Sequence, residues 1–404
     1  MKLSEELKWR GFLNQTTINP IEKLDEEKFK VYLGTDPSGN SLHVGHLAVY
    51  MLVRRLLDHG HEVVLLVGGG TGMVGDPRDT EERNLLSLET IEKNKTALAE
   101  QVSRLFGGQN FTLVDNYDWL KDLNLLEFLR DTGKHFPMNM LLDRDAIKTR
   151  LGEVGSGMSY AEFSYTLLQG YDYWHLSNNF GVNLQIGGSD QWGNILSGVE
   201  LIRRKESKEA HAMTAPLVVD KTTGRKFGKS EAGHAIWLDP NQTTPYDFYQ
   251  FWFNIGDESV EDYLKMFTLL DQPAVESLMK DQNGNPSARP AQKALAFEVT
   301  KLVHGENTAN SVVKITQLFF GDTKITDLTA EELDLLAAFT PTAPLNTTIV
   351  QALTQAGIAT SNSEANKLIA GNAISLNGTK IATDTTITDL TLLKKGKNQF
   401  ILVR

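Results

Sequence analysis

The chain has 404 residues, 41% hydrophobic and 23% charged, with 40 Lys and Arg against 51 Asp and Glu for a formal net charge of −11. That length suits two or three domains with cores of their own, and the negative balance argues against indiscriminate coating of nucleic acid, though a local basic patch can still hold RNA. The absence of cysteine excludes a disulfide framework, a thiol nucleophile and Cys-ligated zinc. The opening residues carry no secretory pattern and no apolar run is long enough to cross a bilayer, so a cytoplasmic protein without a membrane partner is expected.

Residues 29–220 alternate short apolar strands with amphipathic helices. Strands are predicted at 30–34, 62–68, 111–115 and 183–187, an alternation that argues for a parallel α/β sheet. Ligands in such sheets bind beyond the carboxyl ends of the strands. The first strand, with Tyr32 and Gly34, runs into Asp36-Pro37-Ser38-Gly39-Asn40, and a helix then opens with His43-Val44-Gly45-His46. Two imidazoles three residues apart share one face of the first turn. The free N–H groups and positive dipole end there suit phosphate oxygens. Gly45 removes a side chain, so a flat group such as adenine can approach the backbone.

After the second strand, Gly70-Thr71-Gly72-Met73-Val74-Gly75 imitates a dinucleotide fingerprint. Its context fails, because Pro77 falls where the fingerprint helix should be under way and residues 85–92 have a helical period in place of a second strand. The glycines read instead as points where backbone nears a ligand, leaving Asp76 as a charged handle. Further on, Tyr165, Gln169 and Asp172 share one face of a helix. Spacing alone fits a solvated stripe as well as a polar pocket. The apolar neighbours Phe163, Leu167, Leu168, Tyr171 and Trp174 favour the pocket, where a bound amino acid supplies hydrogen-bond partners. Gly187-Gly188-Ser189-Asp190-Gln191 follows the next strand.

Lys226-Phe227-Gly228-Lys229-Ser230 offers two lysines, a glycine and a hydroxyl. It resembles the end of a P-loop, but residue 223 is threonine where that loop requires glycine. With the His motif it reads as a device that holds a nucleoside triphosphate from both ends. Residues 241–332 are helical in pattern, with Tyr249, Trp252, Phe253, Tyr263, Leu264 and Phe267 as expected core. A linker is expected around 340–344. The tail that follows has two short helical patterns, 349–356 and 363–369, then strands about an Asn377-Gly378 hairpin turn and a last strand at 398–403.

The two basic motifs, in this order, resemble the His-Ile-Gly-His and Lys-Met-Ser-Lys-Ser signatures of class I aminoacyl-tRNA synthetases. Gln185 to Asn194 resembles the third signature, and Ser361 to Gly378 resembles the S4 RNA-binding module that ends bacterial-type tyrosyl-tRNA synthetases. This resemblance implies a Rossmann-like parallel-sheet catalytic domain over 1–222 and, over 223–332, the lysine loop and an all-α tRNA-binding domain. A linker at 333–345 and a small α+β S4-like domain at 346–404 would follow. It implies ATP as substrate with accompanying Mg²⁺, no tightly bound cofactor and no protein metal site. L-tyrosine and tRNA-Tyr would be the other partners, and the chain would form a homodimer.

The family match assigns roles. Asp36, Asp76, Tyr165 and Gln169 would hold the amino-acid substrate, most of them at its ammonium. Tyr32 and Asp172 would read its phenol, and Gln191 would sit beside the reacting carboxylate. Gly34, Ser38, His43, Gly45, His46, Gly188, Asp190, Lys226, Lys229 and Ser230 would line ATP. Of these, Ser38, His43, His46, Lys226 and Lys229 would act on the phosphates during catalysis, together with Arg83. Arg144, Arg203 and Arg204 would meet tRNA, within a basic patch that includes Lys148, Arg150 and Lys205.

Two departures stand out. The loop after Asp76 lacks the family's lysine, with Arg78 as a stand-in. Asn362, Ser363 and Asn366 replace basic residues of the S4 helix, and the tail's modest positive charge keeps a solvated face open as a reading. An inactive synthetase-like RNA-binding protein and a tryptophan-specific enzyme are the competing readings.

Overall fold

The computed structural model describes residues 1–76, 87–142, 145–152, 157–219, 221, 224 and 235–404. Contacts divide it into two compact units, residues 1–242 with 251–303, and residues 243–250 with 304–404.

The first unit is built on a six-stranded sheet in the order β1-β6-β5-β2-β3-β4. The strands are β1 (Gln15–Thr16), β2 (Lys30–Thr35), β3 (Glu62–Val67), β4 (Thr112–Asp115), β5 (Leu184–Gly188) and β6 (His211–Ala215). β2 to β6 run parallel, and only β1 is antiparallel, against β6. The four predicted strands form within two residues of their expected ends. β6 went unpredicted because its five residues are all buried and carry no alternation.

Strand order runs outward from β2 in both directions. The crevice of an open α/β sheet therefore lies at the carboxyl ends of β2 and β5. Helix Val44–Asp58 leads from β2 to β3 and buries Leu47, Met51, Leu52, Leu56 and others. Helices Tyr160–Phe180 and Trp192–Glu206 flank β5 in sequence and pack closely on each other. A Cβ built at Gly198 would sit 2.8 Å from the Tyr173 Cβ, and one at Gly170 would sit 2.8 Å from the Phe136 ring. Helix Tyr160–Phe180 starts on a Ser159–Glu162 capping box and stops at Gly181, whose φ of 73° is left-handed.

Tyr249, Trp252, Tyr263, Leu264 and Phe267 are buried as expected. Phe253 is only half-buried, because its ring face carries the Arg289 guanidinium at 5.1 Å.

In the second unit the Asn377-Gly378 turn has φ of 46° and 86°, the double left-handed geometry that Asn-Gly hairpins favour. A linker is the sequence expectation at 333–345. Helix Ala330–Ala337 and the strand Thr342–Ala343 occupy it, the latter paired with Gln399–Val403, because Leu336 and Ala343 are buried there. The compact units likewise divide near 303, away from the boundaries expected at 222 and 332. Among the described residues no helix is long and apolar enough to cross a membrane.

Candidate active site

The described residues expected to meet tyrosine and ATP lie on or just after β2, β3 and β5 and on the helix Tyr160–Phe180. They fall into a buried inner group and an exposed outer one.

The inner group centres on Asp172, 1% exposed. Asn116 Nδ2 donates to its Oδ2 at 2.8 Å and Trp119 Nε1 to its Oδ1 at 2.8 Å. Burial dominates nonetheless and lifts its pKa to about 7, with the nearby charges of Asp36 and Asp115 adding to the rise. Tyr32, also 1% exposed, is close enough that the Asp172 charge helps burial raise its pKa. A Cβ at Gly34 would lie 3.0 Å from the Tyr32 hydroxyl, so glycine there leaves the phenol its space. Tyr165 donates to Asp36 Oδ2 at 3.0 Å, and Thr71 donates to Asp36 Oδ1 at 2.9 Å. Burial first, then the Asp36 and Asp76 charges, holds Tyr165 well above the usual phenol range. The Gln169 Oε1 is buried and accepts no hydrogen bond from any described residue. A pocket that receives an ammonium is suited to such an acceptor.

Asp76 sits at the mouth. Gln191 Nε2 donates to its Oδ2 at 2.9 Å and Asn194 Nδ2 to its Oδ1 at 3.3 Å. Asn194 in turn accepts from Thr166 Oγ1 at 2.9 Å. The Gly70-x-Gly run is a single 3₁₀ turn, Thr71–Met73, and does not open a fingerprint helix.

The outer group faces solvent. Gly34, Ser38, Gly45 and Asp190 are exposed, and Gly188 and Ser189 are half-buried. A Cβ at Gly188 would meet Asp190 Oδ1 at 2.6 Å, so glycine lets that carboxylate fold over the strand end. His43 caps helix Val44–Asp58, its Nδ1 accepting from Gly45 N at 3.1 Å, and His46 Nδ1 accepts from His43 N at 3.2 Å. The two imidazoles stack with centroids 3.8 Å apart, and Trp237 meets His43 edge-on at 5.7 Å. Val44 N donates to Ile236 O and Leu238 N to Leu42 O, so the segment after residue 234 returns beside the His motif. Lys226, Lys229, Ser230, Arg78, Arg83 and Arg144 lie outside the described residues.

Among the expected tRNA contacts, Arg203 and Arg204 are exposed on the last turn of helix Trp192–Glu206. Both pair with Glu200, which they hold down to a pKa of about 2. Arg150 is withdrawn from the patch. It is buried and binds the equally buried Glu162 at 3.0 and 3.2 Å, so it braces the pocket helix and offers nothing to RNA.

Sequence reasoning missed Asn116, Trp119 and Thr71. Asn116 and Trp119 stand more than 50 positions from Asp172, and no local periodicity links them. A second buried amide, Gln185 on β5, belongs to the third signature without a role of its own in the sequence. Its Oε1 also accepts no bond from any described residue, and its backbone is in register with Tyr32.

A parallel sheet whose switch point carries a histidine-capped helix start, beside a buried polar cluster around Asp172 and Gln169, has the arrangement of a nucleotide-dependent activating enzyme of the class I synthetase type. The family model of class I tRNA synthetases for tryptophan and tyrosine matches residues 24–321, and the chain belongs to that family. Residues 334–404 match the C-terminal domain model of the tyrosine–tRNA ligase SYY-like group. The tyrosine–tRNA ligase of Macrococcus caseolyticus is 46% identical over 99% of both chains. That of Staphylococcus epidermidis is 43% identical over 99% of this chain and 98% of its own. The C-terminally truncated mitochondrial tyrosyl-tRNA synthetase of Aspergillus nidulans superposes with a TM-score of 0.69 at 34% identity, covering 79% of this chain and 94% of that one.

Proposed function

We propose that the chain is a tyrosine–tRNA ligase that activates L-tyrosine with ATP and transfers it to the terminal adenosine of tRNA-Tyr. The observation that carries the reading is the buried Asp172, held on both oxygens by N–H donors with Tyr32 beside it. A substrate phenol donating to this carboxylate satisfies it. A phenylalanine in its place leaves a buried charge without that partner. Tyrosyl-tRNA synthetases are themselves the established example of this discrimination, in which a site built to bind a hydroxyl rejects the analogue that lacks it.

In the first step the tyrosine carboxylate attacks the α-phosphorus of ATP. The new carboxyl-oxygen–phosphorus bond forms as the bond to the β-phosphate oxygen breaks, giving tyrosyl-adenylate and pyrophosphate. In the second step a ribose hydroxyl of tRNA attacks the adenylate carbonyl and AMP leaves. A carboxylate is already a nucleophile at neutral pH, so the work is alignment and stabilisation of phosphate charge. Asp76, Tyr165 and Gln169 would hold the ammonium, with Asp36 orienting the Tyr165 hydroxyl on that side, and Gln191, bonded to Asp76, would flank the carboxylate. The first N–H groups of the helix, expected free, are taken by Ile236, His43 and its ring, so the Ser38 hydroxyl and the His43 and His46 imidazoles would meet the phosphates, with Gly34 and Gly45 giving ATP room. Gly188 and Asp190 would take the ribose. Lys226, Lys229, Ser230 and Arg83 complete the phosphate-binding set in this reading.

Among the described residues no group of three His, Asp or Glu could hold a metal ion. Mg²⁺ is assigned to the nucleotide because its phosphates supply the oxygen ligands that cation prefers. Arg144, Arg203 and Arg204 would contact tRNA, and the C-terminal module would bind it as well. Its substrates make the cytoplasm the compartment proposed for the reaction. A homodimer is supported by the exposed Leu125, Leu126, Leu129, Met138, Leu142 and Tyr160, an unusual run of large apolar side chains between β4 and β5.

The test is amino-acid-dependent ATP–pyrophosphate exchange. Strong exchange with tyrosine is expected, with only weak residual exchange with phenylalanine and none with tryptophan. Exchange driven by tryptophan would discredit the role of Asp172, and none with any of the three would favour an inactive RNA-binding protein.

A further inference from the structure

Thr71 belongs to the glycine run that imitates a dinucleotide fingerprint, and no step of the proposed reaction draws on it. It is 2% exposed and sits where acidic side chains close in on backbone. A Cβ at Gly68 would collide with both the Asp36 carboxylate and the Thr71 hydroxyl, and one at Gly69 with the Asp115 carboxylate.

The hydrogens around Thr71 can be assigned from donor capacity alone. Asn116, fully buried, accepts on Oδ1 from the backbone N–H of Gly70 at 2.7 Å and of Thr71 at 3.4 Å. Those two donors fix which end of the amide is oxygen. The opposite end, Nδ2, then donates one hydrogen to Asp172 Oδ2 at 2.8 Å and the other to Thr71 Oγ1 at 2.9 Å. With its oxygen accepting from Asn116, the Thr71 hydroxyl has one hydrogen left, and this goes to Asp36 Oδ1. Tyr165 completes Asp36 on Oδ2.

We infer that Thr71 is a positioning residue for amino-acid recognition, its hydroxyl joining Asp36 and, through Asn116, Asp172 in one hydrogen-bond relay that sets both ends of the pocket together. The inference rests on the tyrosine-ligase reading. Asp172 faces the phenol and Asp36 the ammonium side, so one threonine fixes the distance between the two recognition points. Thr71 itself need not touch substrate.

Thr71→Val removes the hydroxyl at constant shape, Thr71→Ala removes it with the methyl, and Thr71→Ser keeps it. In tyrosine-dependent exchange, Val and Ala are expected to raise the KM for tyrosine about tenfold, the size of one buried hydrogen bond to a charged group. The KM for ATP and kcat should stay within about twofold, and Ser should restore the KM for tyrosine. Tyrosine should lose more kcat/KM than phenylalanine, because only tyrosine uses the phenol end. An impaired Ser variant, or a Val variant equal to the unaltered protein, would overturn the relay. An unchanged ratio of tyrosine to phenylalanine kcat/KM would overturn the coupling through Asn116. If Val does not fold, the comparison of Ala with Ser decides. Unaltered protein without tyrosine-dependent exchange would instead overturn the ligase reading, and the relay's role with it.

Discussion

Asp172 makes the residue-scale case most sharply. Its carboxyl ionises near pH 7 in the folded chain, against an ordinary 3.8. Between those values the folded protein holds a proton that the unfolded chain gives up. Its contribution to stability is thus present below about pH 4 and is lost as pH rises through about 7. Substrate recognition runs the other way, since an ionised Asp172 is the better acceptor for a phenol. The kcat/KM for tyrosine, which reports the free enzyme, should fall as pH is lowered through about 7. Asp172→Asn should abolish that acid limb and cost about 10- to 100-fold in kcat/KM. A flat profile from about pH 6 to about pH 8 in the unaltered protein would refute the assignment. The residue was legible in sequence as part of a polar stripe on an apolar helix. Its pKa was not, because the N–H donors that hold it come from Asn116 and Trp119, across a chain separation no pattern records.

Elements were easier to read than contacts. Alternation of β-branched strands with amphipathic helices gave the parallel sheet, and the Asn-Gly turn gave the tail hairpin. β6 escaped because a central strand buried on both faces has no period of two, and the linker because proline and threonine there serve a short paired strand. Residues 124–142 drew no reading in the sequence, yet Leu125 is 68% and Leu126 75% exposed on the first turn of helix Leu125–Asp131. Asn124 caps that turn through Leu126 N and Glu127 N. Acidic residues are welcome at a capped helix start, so Leu125→Asp with Leu126→Asp should leave the fold intact while placing charge on the apolar face. Sedimentation velocity should find the unaltered protein as a dimer and the double variant as a monomer at the same concentration. A dimer that survives both substitutions would move the interface elsewhere.

At the scale of the whole molecule, the proposed function divides the labour between the two units. Every described residue assigned to tyrosine or ATP lies in the first unit. The second has its own apolar core, in which Phe319 and Phe400 stack at 3.9 Å amid Ile315, Leu336, Leu392 and Leu402. Tyr246 stacks on Phe339 at 4.4 Å within the same unit, which explains why residues 243–250 join the C-terminal part. The tail strands are therefore the other half of a core begun by the preceding helices, and a cut near residue 333 would lay that core open. Phe400→Ala should remove one face of the stack and cost the second unit about 3–5 kcal/mol, the usual loss for a buried phenylalanine. Tyrosine-dependent pyrophosphate exchange should be unchanged, since no exchange chemistry draws on that unit. Charging of tRNA should fall and the denaturant unfolding profile should gain an early transition. If exchange and charging fell together, the separation of activation from tRNA capture would have to be abandoned, and the C-terminal unit would count as part of the catalytic fold.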